Sequence, residues 1–302
     1  MSCTLEKPLT RDERIAAVGF DYEAQPKQYA PTCNLCGAGK WHVVHGYERA
    51  GYPALTVACR HCGLVCLNPR MTREAYAEFY QGWYRAIVSA FSGKPSTPED
   101  LAQQQHDYSC LLADFVAEHI QPTFSTLIDV GGSCGVLASI FAERFNLTAT
   151  VLDPAPDELA QAELHGCRTI AGFIEDYEPT EKFDLVTMIQ TADHLLDLHA
   201  SLRKLRRLMS LDGILLIDIV DFLKMHELFG IEAATKIDHP YSLTDETFTC
   251  YLSRVGLSVL KRGRTTDKRH IIYVCKKANP LPDAMPPDSF VEYLFNRLGV
   301  KL

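Results

Sequence analysis

The sequence predicts an α/β fold, a doubly wound parallel sheet with a small cysteine-rich domain ahead of it. Three observations carry this. From residue 126 onward, short apolar β-branched runs alternate with amphipathic segments of helical period, as strands and covering helices do. The first of these runs, Leu127–Val130, ends in Gly131-Gly132-Ser-Cys-Gly135 and passes into a helical pattern over Val136–Phe145. Finally, two Cys-x-x-Cys-Gly pairs lie 22 residues apart, well before the first of those strands.

The 302 residues suffice for one large domain and a small one, and 47% hydrophobic content is ordinary for a globular chain. No apolar run is long enough to span a bilayer, and Met1–Thr10 lacks the apolar core of a signal peptide, so a cytoplasmic protein without a membrane partner is expected. In that reducing setting the eleven cysteines should be thiols or metal ligands. A net charge of −8 argues against a phosphate-tracking surface and leaves small-molecule chemistry as the expectation.

Residues 1–30 are polar with scattered aromatics and no clear period. Cys33-Asn-Leu-Cys36-Gly37 and Cys59-Arg-His-Cys62-Gly63 then each place two thiolates on a tight knuckle, where the glycine supplies the backbone freedom. Together they form the tetrahedral four-sulfur cage that zinc prefers, with no spare ligand position, so zinc held by Cys33, Cys36, Cys59 and Cys62 should be structural. Trp41–His45 and Leu55–Ala58 read as the ribbon's strands, and Cys66 as a small core residue.

Leu64–Arg70 leaves the ribbon extended. Thr72 then caps a helix to Tyr84, whose aromatic face (Tyr76, Phe79, Tyr80, Trp83, Tyr84) either packs the domains together or covers a pocket. Ser89–Asp100 reads as a mobile loop and Leu101–Ile120 as a helix. Strands follow at Thr148–Asp153, Cys167–Ile170, Phe183–Ile189 and Gly213–Val220, with a basic amphipathic helix over Leu198–Met209. A helix over Ser242–Val255 and a hairpin of Leu257–Lys261 with His270–Lys276 complete seven strands. The tail, Asp288–Leu298, has an apolar face that either packs on its own domain or pairs with another subunit, as a monomer or a homodimer would. The expected divisions are 1–71, 72–120, 121–277 and 278–302.

The glycine loop decides between nucleotides. Counted from Gly131, a nicotinamide Gly-x-Gly-x-x-Gly fingerprint falls on Ser133 and Val136 and fails at two of three places. Asp129-x-Gly131-x-Ser133-x-Gly135 departs from Asp-x-Gly-x-Gly-x-Gly only at Ser133. That motif resembles the first motif of class I S-adenosylmethionine-dependent methyltransferases. Phe183–His194 resembles the family's fourth strand, with Asp193-His194 at its acid–histidine place. Leu208–Ile217 is similar to the turn and fifth strand, with Asp212 departing, and Asp238–Glu246 to the segment before the final hairpin. The ribbon and Gly63-Leu-Val-Cys-Leu-Asn-Pro-Arg70 resemble zinc-ribbon methyltransferases of sugar, polysaccharide and secondary-metabolite pathways. The resemblance spans most of residues 33–276.

It implies a Rossmann-like seven-stranded methyltransferase sheet that takes S-adenosylmethionine and yields S-adenosylhomocysteine. The cofactor residues it implies are Asp129 toward the ammonium group, and Gly131, Gly132, Ser133 and Gly135 toward the carboxylate. Asp153 before Pro154 would take the ribose hydroxyls, Phe173 and Ile174 would flank adenine with Glu175 or Asp176 near its amino group, and Gln190 would face the methionine part. A hydroxyl acceptor needs a base. His194 is the first candidate, His239 and Tyr241 come next, and Asp218 and Asp221 either face the substrate or cap a loop. The acceptor is expected to be a nucleotide sugar, saccharide or secondary metabolite. An RNA acceptor, or a non-catalytic S-adenosylmethionine-binding role, are the alternatives.

Overall fold

The computed structural model describes residues 9–94 and 98–300. A helix α1 (Arg11–Val18) and a short strand β1 (Lys27–Gln28) open the chain. The ribbon supplies β2 (Trp41–His45), β3 (Thr56–Cys59) and β4 (Val65–Leu67), and β5 (Arg70–Met71) pairs back with β1. Helices α2 (Arg73–Gly82), α3 (Tyr84–Ser92) and α4 (Pro98–Val116) lead to the main sheet. There β6 (Thr126–Val130), α5 (Val136–Phe145), β7 (Thr148–Asp153), α6 (Pro156–Leu164), β8 (Arg168–Ala171), β9 (Phe183–Met188), α7 (Leu198–Leu208) and β10 (Met209–Val220) alternate. The remainder is α8 (Phe222–Ala234), β11 (Tyr241–Ser242), α9 (Asp245–Arg254), β12 (Leu257–Arg264), β13 (His270–Lys277) and α10 (Asp288–Arg297).

The main sheet runs β12-β13-β10-β9-β6-β7-β8, with five parallel strands and an antiparallel hairpin at one edge. Strand order reverses between β6 and β9, and the carboxyl ends of these two strands bound the crevice where such sheets take ligands. Successive residues of β6 serve both faces. Ile128 and Val130 join a core that includes Leu202 and Leu205 of α7 and Phe248 of α9. Leu127 joins Leu112, Phe141 and Leu159 on the other side. That two-sided burial is why these strands read as continuous apolar runs.

The ribbon sheet, β11-β4-β3-β2, takes its last strand from residues 241–242, with Tyr241 opposite Cys66. Leu35 and Leu64 enter the same core as α7 and α9, so the ribbon is seated directly on the main sheet's helical layer. The tail helix α10 lays Phe290, Val291, Leu294 and Phe295 against Ala58 and Val65 of the ribbon and Phe222 of α8, so it packs across to the ribbon, a placement the sequence reading does not contain.

Four segments differ from the sequence reading. α1 lies where no period was legible. Its signal is local, a capping box in which Thr10 and Glu13 bond reciprocally, with Gly19 closing the other end. The Ser89–Asp100 stretch is mostly helix: α3 continues to Ser92, Gly93 ends it in the left-handed region, and α4 begins at Pro98. Residues 95–97 of that stretch lie outside the described residues. The helix expected from Ser242 starts at Asp245, because Tyr241–Ser242 is consumed by the ribbon sheet and Thr244 is the cap. Helix α8 was not foreseen, since its apolar residues form no single stripe: Phe222 and Ala234 are buried while Leu228 and Phe229 are exposed. Among the described residues, no helix is long and apolar enough to cross a membrane.

Candidate functional site

Asp129 ends β6 beneath the glycine loop. Its carboxyl is buried, and Oδ1 accepts a 2.7 Å hydrogen bond from Thr187 Oγ1 of β9. Burial pushes its pKa up to about 7, with Asp153 adding to the rise and the Thr187 bond opposing it. Gly132 passes directly over this group: a Cβ there would lie 2.6 Å from Asp129 Oδ2. A Cβ on Gly131 would lie 2.6 Å from Thr191 Oγ1. The two glycines therefore let the loop lie flat on strand ends β6 and β9, with Gly131 N–H donating to the Leu152 carbonyl at 2.8 Å.

Ser133, the irregular position of the motif, has φ of 51°, in the left-handed region where glycine is favoured. Its hydroxyl donates to Glu158 of α6, and its N–H donates to Asp153 Oδ2 at 3.0 Å. Asp153 Oδ1 accepts from Ala155 N at 2.9 Å, so this carboxylate joins the glycine loop to the turn after β7, where Pro154 lies. Gly135 caps α5, and a Cβ there would meet Ala162 of α6 at 2.9 Å.

The crevice itself is lined by Asp129, Gly131, Gly132, Ser133, Val136, Leu137, Ile189 and Gln190, and by Gln104, Gln105, Tyr108 and Ser109 of α4. The α4 residues were not foreseen. The available signal was a change along one helix face, where Gln104, Gln105, Tyr108 and Ser109 give way one to two turns later to Leu111, Leu112 and Phe115. Gln190 is also left-handed, with φ of 52°. Its N–H donates to Asp218 Oδ1 at 2.6 Å, and Tyr108 Oη donates to Asp218 Oδ2 at 2.6 Å. Asp218, buried at the end of β10, thus ties α4 to the loop after β9, while Asp221 caps α8 and pairs with Arg264.

Phe173 and Ile174 follow β8. Ile174 is buried in the core, and Phe173 carries the Arg73 guanidinium over its ring at 4.6 Å. Arg73 also pairs with Asp176, and Arg85 of α3 pairs with Glu158 at 2.7 Å. Helices α2 and α3 are therefore pinned across the side of the sheet that carries Asp153. On α2, Tyr76 and Phe79 pack on Phe20, Tyr22 and Tyr52, whereas Tyr80 reaches the second part of the site.

That part lies beyond Gln190, on the same strand ends. His194 Nδ1 is 2.6 Å from Tyr80 Oη and 2.9 Å from the Asp238 carbonyl. The His194 and His239 rings meet edge to face at 4.6 Å, and His239 Nε2 lies 3.3 Å from Lys236 Nζ. Burial lowers the pKa of both imidazoles, more strongly at His239, where the Lys236 charge adds to it. Tyr241 is placed differently. Its hydroxyl is buried and donates to the Leu196 carbonyl at 2.8 Å, with the Arg70 guanidinium over its ring at 5.2 Å.

In the ribbon the four cysteines converge, with their Sγ atoms all within 4.8 Å of one another. Cys33–Cys62 and Cys36–Cys59 are 3.5 and 3.6 Å apart, close to the ~3.8 Å edge of a tetrahedron with zinc–sulfur bonds of ~2.3 Å. Gly37 N–H donates to the Cys33 carbonyl and Gly63 N–H to the Cys59 carbonyl, closing both knuckles with glycines at φ of 76° and 74°. Cys66 sits apart in the core, its thiol pushed up to about 12 by burial.

A family profile described as "Methyltransferase domain" matches residues 101–262, more than half of the chain. The chain belongs to this methyltransferase-domain family. Its seven-stranded sheet with an antiparallel edge hairpin is the Rossmann-like methyltransferase sheet. A ubiquinone biosynthesis O-methyltransferase of Methylobacterium nodulans is 34% identical over 87 residues, covering 26% of this chain and 34% of that protein. A 2-methyl-6-phytyl-1,4-hydroquinone methyltransferase of Synechocystis is 25% identical over 152 residues, covering 48% of this chain and 47% of that one. The chain thus spans about a third to a half of the length of these curated relatives. Among solved structures, mitomycin 7-O-methyltransferase aligns with a TM-score of 0.51 at 17% identity, over 68% of this chain and 60% of that one, a likeness of fold.

Proposed function

We propose that this methyltransferase-family chain transfers the methyl group of S-adenosylmethionine to a small-molecule acceptor, with a nucleotide sugar, a saccharide or a secondary metabolite as the class. The observation that supports it most is the crevice over β6 and β9. A buried carboxyl, Asp129, lies under Gly131 and Gly132, where a cationic ammonium would be matched and the Gly132 N–H would meet a carboxylate. Asp153 keeps lone pairs for a ribose diol, because each of its oxygens has one backbone donor. Gln190, fixed by Asp218, presents its side chain to the crevice. Bound S-adenosylmethionine supplies an electrophilic methyl carbon on a sulfonium, and alignment of the acceptor with that carbon supplies much of the acceleration.

We assign the base to His194. With Nδ1–H donating to the Asp238 carbonyl, Nε2 keeps a lone pair and has no partner among the described residues. His239 backs it through the ring contact, and Tyr241 holds the Leu196 turn that precedes α7. We assign zinc to Cys33, Cys36, Cys59 and Cys62 as a closed structural site. The names of the relatives, each for a small molecule or its biosynthesis, and the net charge of −8 favour a small-molecule acceptor over RNA. Calorimetry of the zinc-loaded protein with S-adenosylmethionine tests the reading. Stoichiometric binding is expected, and no binding rejects it.

A further inference from the structure

Next to the assigned base is a group of polar side chains that satisfy each other incompletely. Asp193 is buried at 2% exposure. Its Oδ2 accepts from Val220 N at 3.1 Å, but Oδ1 has no partner among the described residues. Lys236 enters the same space and makes no ion pair among the described residues. The one hydrogen-bond contact of its ammonium is His239 Nε2, at 3.3 Å. Its charge is felt by Asp193, whose carboxylate form it favours, and by His194, His239 and His270, whose protonation it opposes. Asp193, after β9, is a buried acceptor without a donor, and Lys236, after α8, has no carboxylate at ion-pair distance. Burial and Arg49 oppose the lysine's charge, while Asp238, Asp193 and Glu48 favour it from farther off, so a ligand would complete both groups.

His194, Asp238 and His239 also bring three donor atoms within 4.8 Å, a spacing that suits a divalent cation. Lys236 argues against that occupant. Its Nζ already points at the His239 lone pair, and a dication there would sit beside a fixed positive charge. The lysine stands in the cation's place.

We propose that Lys236 is the oxyanion-binding residue of this site, and that the acceptor is an acidic hydroxyl, phenolic or enolic, with a neighbouring hydrogen-bond donor that fills Asp193 Oδ1. This rests on the methyl-transfer reading and narrows its acceptor to a phenolic or enolic metabolite, setting aside the sugar hydroxyls of the other two classes. The hydroxyl proton passes to His194 Nε2 and both O–H electrons stay on oxygen beside the ammonium. That pair forms the new O–CH3 bond while the C–S pair remains on sulfur. The weak basicity of His194, whose ring is lowered by burial, matches an acidic hydroxyl rather than an alkanol. His194 is only partly buried, so water can take the proton afterwards.

The test uses 4-nitrophenol, whose phenol and phenolate differ in colour, titrated across neutral pH with the purified full chain. Bound probe should ionise about one pH unit lower than free probe, a roughly tenfold preference for the phenolate. Lys236→Met should abolish the shift and Lys236→Arg should keep most of it, so the conservative variant separates loss of charge from loss of fold. With 4-nitrocatechol, which adds a second hydroxyl, binding should be tighter than with 4-nitrophenol, and Asp193→Asn should erase that preference. An unshifted probe in the wild type, or a full shift in Lys236→Met, overturns the proposal. So does tight binding of Mn2+ added alone that His194→Ala removes. S-adenosylmethionine calorimetry on the same samples separates the two readings. Cofactor binding without a probe shift rejects this inference alone, and a probe shift without cofactor binding rejects the methyl-transfer reading alone.

Discussion

Asp129→Asn should make the cofactor-free protein more stable at mildly alkaline pH while weakening its hold on S-adenosylmethionine. Burial raises the Asp129 pKa from 3.8 to about 7, so the folded chain keeps a proton there that the unfolded chain gives up near pH 4. Stability from this group is complete below about pH 4, falls as pH rises through the folded value near 7, and is fully lost above it. Three units correspond to a ceiling of about 4 kcal/mol. Asparagine carries no charge, and its Oδ1 can still accept from Thr187 Oγ1, so that bond is retained. The cost that it adds is an amide NH2 against Gly132, ~1–2 kcal/mol if unpaired. A net gain of roughly 2 kcal/mol at pH ~8 is expected, shrinking to nothing or reversing near pH ~4. Urea denaturation of both proteins without cofactor, at both pH values, reads this directly. Calorimetry should show S-adenosylmethionine bound ~10- to 100-fold more weakly, the loss of one charged hydrogen bond. Parallel pH profiles for the two proteins, or equal cofactor affinity, would refute the reasoning.

Gly132→Ala places a Cβ 2.6 Å from Asp129 Oδ2, which must retreat from Thr187; a destabilisation of about 1–3 kcal/mol and weaker cofactor binding are expected by thermal denaturation and calorimetry, and an unchanged melting temperature counts against the packing described. Asp153→Ala strips the Ser133 and Ala155 N–H groups of their acceptor and should raise the cofactor Kd more than it lowers turnover at saturation, and equal affinity would place the ribose elsewhere. Cys36→Ser should release zinc and loosen the ribbon, because bound metal supplies much of such a domain's folding energy. Metal analysis finding no zinc in the wild-type protein would end that assignment.

The sequence by itself determined most of the main sheet. Thr148–Asp153 and Val136–Phe145 were legible to the residue, because buried parallel strands and the helices between them carry their own periods. The same holds for the cysteine knuckles, whose spacing and glycines are local necessities, and for Asp129, Asp153 and the glycine loop, which lie within 25 residues of one another. The tertiary structure decided what lies far apart in the chain. Gln105 and Tyr108 of α4 become crevice walls only because α4 packs on α5, and Tyr80 meets His194 across 114 residues. Tyr241, which sequence order grouped with the bases, is claimed by strand pairing with Cys66 and faces Leu196 instead. Lys236 was silent in the sequence, because a lysine on a surface and a lysine held against the His239 imidazole look identical until the chain has closed around them. Local period and turn chemistry write the scaffold and the glycine loop, while the residues proposed to face the acceptor are set by contacts that no short stretch of sequence encodes.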